Sequence, residues 1–410
     1  MVKDATPHIF AGFGVELEYM IVSQGSLDIL PAADELLLAA AGRVQNEVEM
    51  GDFAWSNELA LHVVELKTNG PVATLNGMAG RFQEQVGRVN SLLGGLGARL
   101  MPTAMHPWMD PQRETRLWPH GSRVIYEAYN RIFGCQGHGW SNVQSTHLNL
   151  AFNGDEEFGR LHAAIRLLLP LLPALAASSP LVEGRASGQL DTRLEYYRCN
   201  QQRVPSISGM VIPEPAYTRK DYEEMILSRS YRDIAPHDPD GILQFEWLNS
   251  RGAIARFDRS AMEIRLLDIQ ECPMADLAVA AAIVAVLRAL VAERWQPFSR
   301  QAAFGVEPLA ELFIAVIRDG DRTVIADRNF LGLFGLEEEK MTAGELWQAL
   351  AAQTMTPDDP YRPALEVILR QGPLGRRILR AVGSGFSHGK LQEVYARLCS
   401  CLAAGEMFTA

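Results

Sequence analysis

The stretch Gly14-Val15-Glu16-Leu17-Glu18-Tyr19 alternates strictly between apolar and acidic side chains. A β-strand sends successive side chains to opposite faces. Val15, Leu17 and Tyr19 therefore share one face, and Glu16 and Glu18 share the other. Two carboxylates on one strand face repel unless a cation or water separates them. The pair reads as the anchor of a magnesium site that later acidic residues complete.

Around this stretch lies a chain of 410 residues, 48% apolar and 8% aromatic. That is enough for a sizeable core in two or three domains, or in one large enzyme fold with appendages. The formal charge of −11 argues against a general nucleic-acid binder, while leaving room for a local basic pocket. Five cysteines (Cys135, Cys199, Cys272, Cys399 and Cys401) form neither a disulfide framework nor a zinc motif, which predicts free thiols in a reducing cytosol. Cys399-Ser400-Cys401 reads as two idle thiols near a helix end. The segment before Gly12 holds Lys3 and Asp4 but no apolar run, so no secretory signal is expected. Leu167–Ala177 contains Pro170 and Pro173. Leu277–Val291, about 15 residues long, is short for a bilayer and is followed by Glu293-Arg294. Both predict buried helices, and a cytoplasmic location without a membrane partner.

Taken in order, the opening strand spans 10–24 and turns at Gly25-Ser26. A helix is expected over Pro31–Ala41, alternation over 44–68 ends in the strand His62–Thr68, and Asn69-Gly70-Pro71 stops it. Thr74–Leu96 is amphipathic through Phe82, Val86, Val89 and Leu93, and Arg99–Thr103 begins another strand. Residues 121–140 read as a helix followed by a loop rich in Gly, His and Trp. Gln144–Phe152 reads as a strand with His147 and Asn149 on one face. Residues 157–177 predict a buried helix, Gly184–Arg203 an arginine-rich loop, and 219–229 a helix. Gly241–Trp247 and Ala261–Asp268 predict strands, and Asp276–Glu293 a long apolar helix. Beyond residue 300 strand patterns fade and helical ones take over: Leu309–Arg318, Thr342–Gln353, Pro363–Arg370, Leu374–Val382 and Leu391–Leu402. They suggest a buttress or an oligomer contact. Two glycine patterns, Gly12-Phe-Gly14 and Gly94-Gly-Leu-Gly97, lack the spacing of a dinucleotide loop, and no Gly-x-x-x-x-Gly-Lys-Ser/Thr loop occurs.

The acids on strand-like segments are the chemical core of the reading. Glu16 and Glu18 form one pair. Glu58 and Glu65 are seven apart, so both reach one site only if a turn or bulge lies between them. Glu263 is followed two residues later by Arg265 on the same face. Each acid alone is more simply a solvated residue. Together they suit two or three magnesium ions clamping a nucleotide. His147 and Asn149 supply an imidazole and an amide. Arg185, Arg193, Arg198 and Arg203 supply guanidinium groups suited to carboxylate or phosphate, although a solvated basic loop is the plainer alternative.

The ordered set of these motifs resembles a known family. It comprises Gly14–Glu18, Glu58 and Glu65 running into Lys67-Thr68, His106-Pro107, His147-x-Asn149, Ser178-Ser179-Pro180 with the glycines that follow, and Glu263–Asp268. Over residues 10–295 it is similar to the glutamate–cysteine ligases of the second, carboxylate–amine ligase type. The resemblance implies an α+β, glutamine-synthetase-like fold: a curved antiparallel sheet forms a basin, with helices packed on its outer face. It divides the chain into a catalytic domain, 1–298, and a helical C-terminal extension, 299–410. It implies an ATP- and Mg2+-dependent ligase that activates a carboxylate, typically the γ-carboxylate of glutamate, as an acyl phosphate for attack by an amine. Glu16, Glu18, Glu58, Glu65 and Glu263 would hold magnesium, with Glu65 also catalytic. His147, Asn149, Arg185, Arg193 and Arg198 would face the nucleotide, and Arg265 would stabilise the transferring phosphoryl group. The partners expected are small-molecule amino acid and amine substrates, with a homo-oligomer possible and no nucleic acid. The segment Gly184–Arg203 and the stretch Gly134–Asn142 depart from the family's pattern, which leaves the amine open. Two alternatives stand beside the ligase: a kinase passing phosphate to a guanidino-type nitrogen, and a non-catalytic binding protein that keeps the basin.

Overall fold

The structure, a computed structural model, describes residues 7–410; Lys3 and Asp4 lie outside the described residues. Its centre is the strand read first. β1 (Phe13–Ser23) is followed in the same sheet by β2 (Glu47–Glu49), β3 (Phe53–Asn57), β4 (Val63–Thr68), β5 (Ala98–Met101) and β6 (Ser145–Ala151). A short hairpin of β7 (Leu181–Val182) and β8 (Arg185–Ala186) stands apart, and β9 (Ala253–Arg256) and β10 (Ala261–Asp268) return to the main sheet. The spatial order is β2-β3-β4-β1-β6-β10-β9, with β5 paired to the far end of β1, and the described pairings are antiparallel. β1 is therefore the middle strand. Its apolar residues Val15, Leu17 and Tyr19 are fully buried beside Leu66 on β4 and Leu148 on β6.

Three helices cover this apolar face. Helix Met78–Gly94 buries Phe82, Val86, Val89 and Leu93, the spacing of one helical stripe. Helices Gly154–Leu168 and Pro273–Val291 complete the layer and join the same core. The predicted helix 157–177 breaks at its prolines, into a 3-10 turn Leu169–Leu171 and a short helix Pro173–Ala176. Pro273–Val291 is 19 residues long with mean hydropathy 2.2, longer than the fifteen counted from the sequence. By length and composition it could cross a bilayer, but 72% of its apolar window is buried inside the fold. It is a core helix, packed against Met78–Gly94, Gly154–Leu168, Ala343–Thr354 and Arg362–Gln371.

Two expected elements differ. Gly241–Trp247 is not a strand: the Asp238 carboxylate accepts from the backbone N–H groups of Ile242 and Leu243, at 3.1 and 2.8 Å, so those donors never reach a ladder. A single 3-10 turn, Glu246–Leu248, follows. Within Gly184–Arg203, the arginine-rich stretch contains the helix Thr192–Tyr197, capped by Asp191, whose side chain accepts from Leu194 N.

The helices after residue 298 share a core with residues 7–298. Leu309, Phe313, Trp347 and Leu365 belong to one apolar cluster with Val15 and Leu17. Leu374, Ile378, Leu391 and Leu398 pack with Met20, Val22 and Met101, at the far end of β1 and on β5. Arg377 and Glu271 form a fully buried ion pair across the same junction, with 3.3 Å between Nη2 and Oε2. Arg377 Nη1 also donates to the carbonyl of Phe408 at 2.6 Å.

Candidate active site

The polar face of the sheet is the floor of a cavity of about 590 Å³. Pairing register brings the acids together: Glu18 lies opposite Glu65, Glu16 opposite both Lys67 and His147, and Glu263 opposite Asn149. Glu58 and Glu65 meet because a turn separates them. Glu58 follows the last residue of β3, the chain reverses, and Glu65 points back from β4. β10 carries one extra residue between Ile264 and Leu267, a bulge at Arg265-Leu266. Without it Asp268, five residues from Glu263, would face the core. With it Asp268 stands opposite Ser145, on the cavity side, and holds Arg193 at 2.5 Å.

At the centre is His147. Its Nδ1 donates to Glu16 at 2.8 Å; its Nε2 lies 2.9 Å from Ser145 Oγ, which donates to Glu18 at 3.0 Å. Asn149 Nδ2 donates to the other oxygen of Glu16 at 2.9 Å. Glu65 accepts from Ser56 Oγ at 2.6 Å and pairs with Lys67 at 2.8 Å. Arg265 Nε lies 3.0 Å from Glu263. Burial pulls His147 down, but its hydrogen bond with Glu16 and the charges of Glu16, Glu18 and Glu263 lift it to about 9. Burial pushes Glu16 up, yet the His147 hydrogen bond and charge hold it well below the usual carboxylate range. Glu65 is pushed up to about 7 by burial and by Glu16, against the pull of Lys67. Glu58 is raised by burial and by the charges of Glu18 and Glu65. A carboxylate cluster under this mutual repulsion offers hard oxygen donors to a divalent ion.

Two sets of donor atoms, Glu16 with His147 and Glu263, and Glu18 with Glu65 and His147, lie within 4.8 Å of one another. Glu58 lines the same cavity but belongs to neither set. Asn149 steadies Glu16 rather than lining the cavity. Of the arginines expected there, Arg193 and Arg265 line it; Arg256 and Arg259 do so as well. Arg185 does not: it is exposed on the β7–β8 hairpin and pairs with Glu183 at 3.1 Å. Arg198, held by Glu195 at 2.7 Å, also lies outside the lining: Tyr197, four residues after Arg193, shares its helix face and lines the cavity, and Arg198, one residue on, does not. His106 is buried, with Nε2 2.8 Å from the carbonyl of Leu27, and Cys135 is buried outside the lining. Ser178 and Ser179 hold Asp268, at 2.8 Å each.

Several lining residues were not singled out from the sequence. Lys67 sits between Glu47 and Glu65 at 2.8 Å from each. Its alternation with Glu65 on one strand was the available signal. Ser145, two residues before His147 on the same strand face, was another. The aromatic residues Tyr126, Tyr129 and Trp247 carried no comparable signal, whereas Trp140 lies in Gly134–Asn142, the stretch read as a local specialisation able to shape the acceptor or acid pocket.

Residues 12–397 match the family model described as glutamate–cysteine ligase family 2. The match runs about a hundred residues past the stretch 10–295 and takes in the C-terminal helices. An uncharacterized protein of Archaeoglobus fulgidus is 33% identical over 395 residues, covering 96% of this chain and 99% of that one. A protein of Rubrobacter xylanophilus named "Putative glutamate--cysteine ligase 2-3" is 26% identical over 240 residues, 56% of this chain and 61% of its own length. Two solved structures share the fold. A glutamate–cysteine ligase of Francisella tularensis, in complex with AMP, superposes with TM-score 0.65 at 14% identity, over 97% of this chain and 90% of that one. A bifunctional glutathione synthetase of Pasteurella multocida gives TM-score 0.55 at 16% identity, over 97% of this chain and 52% of that one. With the family model spanning nearly the whole sequence over this antiparallel sheet and its acid-lined cavity, the chain belongs to glutamate–cysteine ligase family 2.

Proposed function

We propose that the protein is an ATP- and Mg2+-dependent carboxylate–amine ligase, acting on the γ-carboxylate of glutamate or a closely related acid. The observation that carries this reading is the convergence of Glu16, Glu18, Glu65, Glu263 and His147 on one sheet face, with Arg265 beside them. The sheet is then a glutamine-synthetase-like basin, and small-molecule acid and amine substrates meet on its floor. The family and the AMP complex of the Francisella relative support a nucleotide substrate. A cytoplasmic location belongs to the same reading.

The donor set fits magnesium: Glu16, Glu18, Glu58, Glu65 and Glu263 supply oxygens, which suit a hard cation that keeps some waters. When bound, such ions neutralise charge on the transferring phosphoryl group. The chain's own residues do the rest. His147 and Asn149 fix the two oxygens of Glu16, and Ser145 fixes Glu18. Arg265, oriented through Glu263, presents a guanidinium where negative charge develops. The carboxylate oxygen takes the γ-phosphoryl group and ADP departs. The amine then attacks the acyl carbon, the bond to phosphate breaks, and the amine's surplus protons pass to the departing phosphate and to water. Glutamate, ATP and an ammonium give amide, ADP, phosphate and one proton.

A coupled screen tests this. ADP release is followed with each amino acid as donor, alone and with amines, and products are weighed by mass spectrometry. ADP with free phosphate and an amide is expected. ADP with a phosphorylated acceptor would make the protein a kinase, and calorimetry showing no ATP binding in the presence of magnesium would refute the nucleotide reading.

A further inference from the structure

One wall of the cavity is aromatic. Tyr126 and Tyr129 lie on one face of helix Arg123–Phe133, three residues apart. The Tyr129 ring is 5.3 Å from Trp140 and 6.1 Å from Trp247. All four line the cavity and are half-buried, so their rings are only partly covered by the protein. Behind them a small core of Ala128, Ile132, Val204, Ile207, Ile234, Leu243 and Leu248, separate from the main one, holds the wall in place. The wall runs into the acidic floor: Asn57 Nδ2 donates to Tyr126 Oη at 3.0 Å, and Glu58 is the next residue. Burial, then the charges of Glu58 and Glu65, raise the Tyr126 hydroxyl.

Each of the cavity's lysine and arginine side chains faces a carboxylate, while Arg193 Nη2 and the Nε atoms of Arg256 and Arg265 make no hydrogen bond and remain open to a ligand. Lys67 pairs with Glu47 and Glu65, Arg193 with Asp268, Arg265 with Glu263, Arg256 with Asp258 and Glu263, and the rim residue Arg259 with Asp258. The activated acid and the phosphoryl group draw on these same cations. A second carboxylate, such as that of cysteine or glycine, finds no further cation on the wall, and a small side chain leaves the rings uncovered. A protonated amine with an aromatic or long apolar body fits both features: its ring packs among the mutually tilted rings of Tyr129, Trp140 and Trp247, and its ammonium reaches the acids. Adenine would stack equally well, but ribose and the α- and β-phosphates separate it from the reacting γ-phosphorus, whereas this wall abuts the reacting floor.

Resting on the ligase reading, the geometry points to the aromatic wall as the acceptor subsite, and to a carboxylate-free arylalkylamine or similarly apolar amine as the acceptor class. Two measurements on the full chain test it. Calorimetry titrates phenethylamine into the protein in the presence of magnesium and glutamate. Initial rates of ADP release compare phenethylamine with glycine and cysteine. Phenethylamine is expected to bind, and to exceed both amino acids in kcat/KM by at least about tenfold, the scale of burying one aromatic ring. Trp140→Ala should raise the KM for phenethylamine by at least about tenfold with little change in the KM for ATP, and Trp140→Phe should restore most of it. A rise in the KM for ATP instead would assign the wall to adenine and overturn the inference. So would equal or better use of glycine or cysteine, or no phenethylamine binding. Binding that Trp140→Ala weakens, with no ADP formed from any acid and amine, would uphold the subsite and refute the ligase reading.

Discussion

At the scale of single residues, the site is a balance of buried charge. Glu16→Gln and Glu18→Gln each remove a carboxylate without changing volume, and each is expected to reduce ADP formation by on the order of 100-fold or more, with an unaltered circular dichroism spectrum. Full activity in both would remove the proposed metal-binding role. Arg265→Lys keeps the charge and loses the planar fork, and should lower kcat by roughly tenfold or more, read from steady-state rates. Acidity gives a separate test. His147 binds its proton up to about 9 in the fold against an ordinary 6.5, and Glu65 up to about 7 against an ordinary 4.5. The folded chain thus holds more protons than the unfolded chain across this window. The stability these groups contribute is complete below the lower values and declines as pH rises through the higher ones. Glu16, held low, contributes stability above 4.5 that is lost only in strong acid. Metal-free protein should therefore show a falling Tm between pH 6 and pH 9.5 that shrinks in Gln variants of Glu65 and His147; a flat profile would contradict the charge arrangement. The acids were legible singly in the sequence. Lys67 alternates with Glu65 on its own strand, but its place between Glu47 and Glu65, opposite Glu16, is set by the pairing of β2, β3, β4 and β1.

At the scale of elements, alternation was the readable signal. β1, β6 and β10 each show it, because each has one face on the helices and one on the cavity. Leu17 is fully buried on β1, and Leu17→Ala should cost about 2–5 kcal/mol in urea unfolding. Glu58 shows what alternation cannot resolve. Its seven-residue distance from Glu65 is meaningless once a turn intervenes. The bulge at Arg265-Leu266 is invisible in the sequence for the same reason: an inserted residue is defined only against its partner strand. It turns Asp268 to the sheet face of Glu263, where it holds the cavity-lining Arg193. Gly241–Trp247 looked like a strand from its apolar residues, but Asp238 satisfies the local N–H groups and leaves Trp247 to the aromatic wall. The cap Asp191 ahead of Thr192–Tyr197 was a signal available to a closer reading of the arginine-rich stretch.

At the scale of the whole molecule, the helices after residue 298 are bound to the sheet by two apolar clusters and by the buried Arg377–Glu271 pair. Arg377→Met would leave Glu271 buried without its partner and should destabilise by roughly 3–5 kcal/mol in chemical denaturation. A chain ending at residue 298 exposes Leu17's neighbours and the helix Pro273–Val291, so it should be recovered insoluble or without a cooperative melt; a soluble, cooperatively melting fragment would show that residues 1–298 fold alone. By itself the sequence determined the strand order of chemistry: which segments carry acids, which carry His147 and Asn149, and which residues face a core. Those follow from local periodicity, since a strand's two faces are set by its own backbone. The tertiary structure alone decided which acids converge on one cavity, that Arg185 and Arg198 stay outside, and that four aromatic rings from three segments form one wall. Those depend on strand register, on one bulge and on packing between residues over a hundred positions apart, none of which is encoded in any single stretch of the chain.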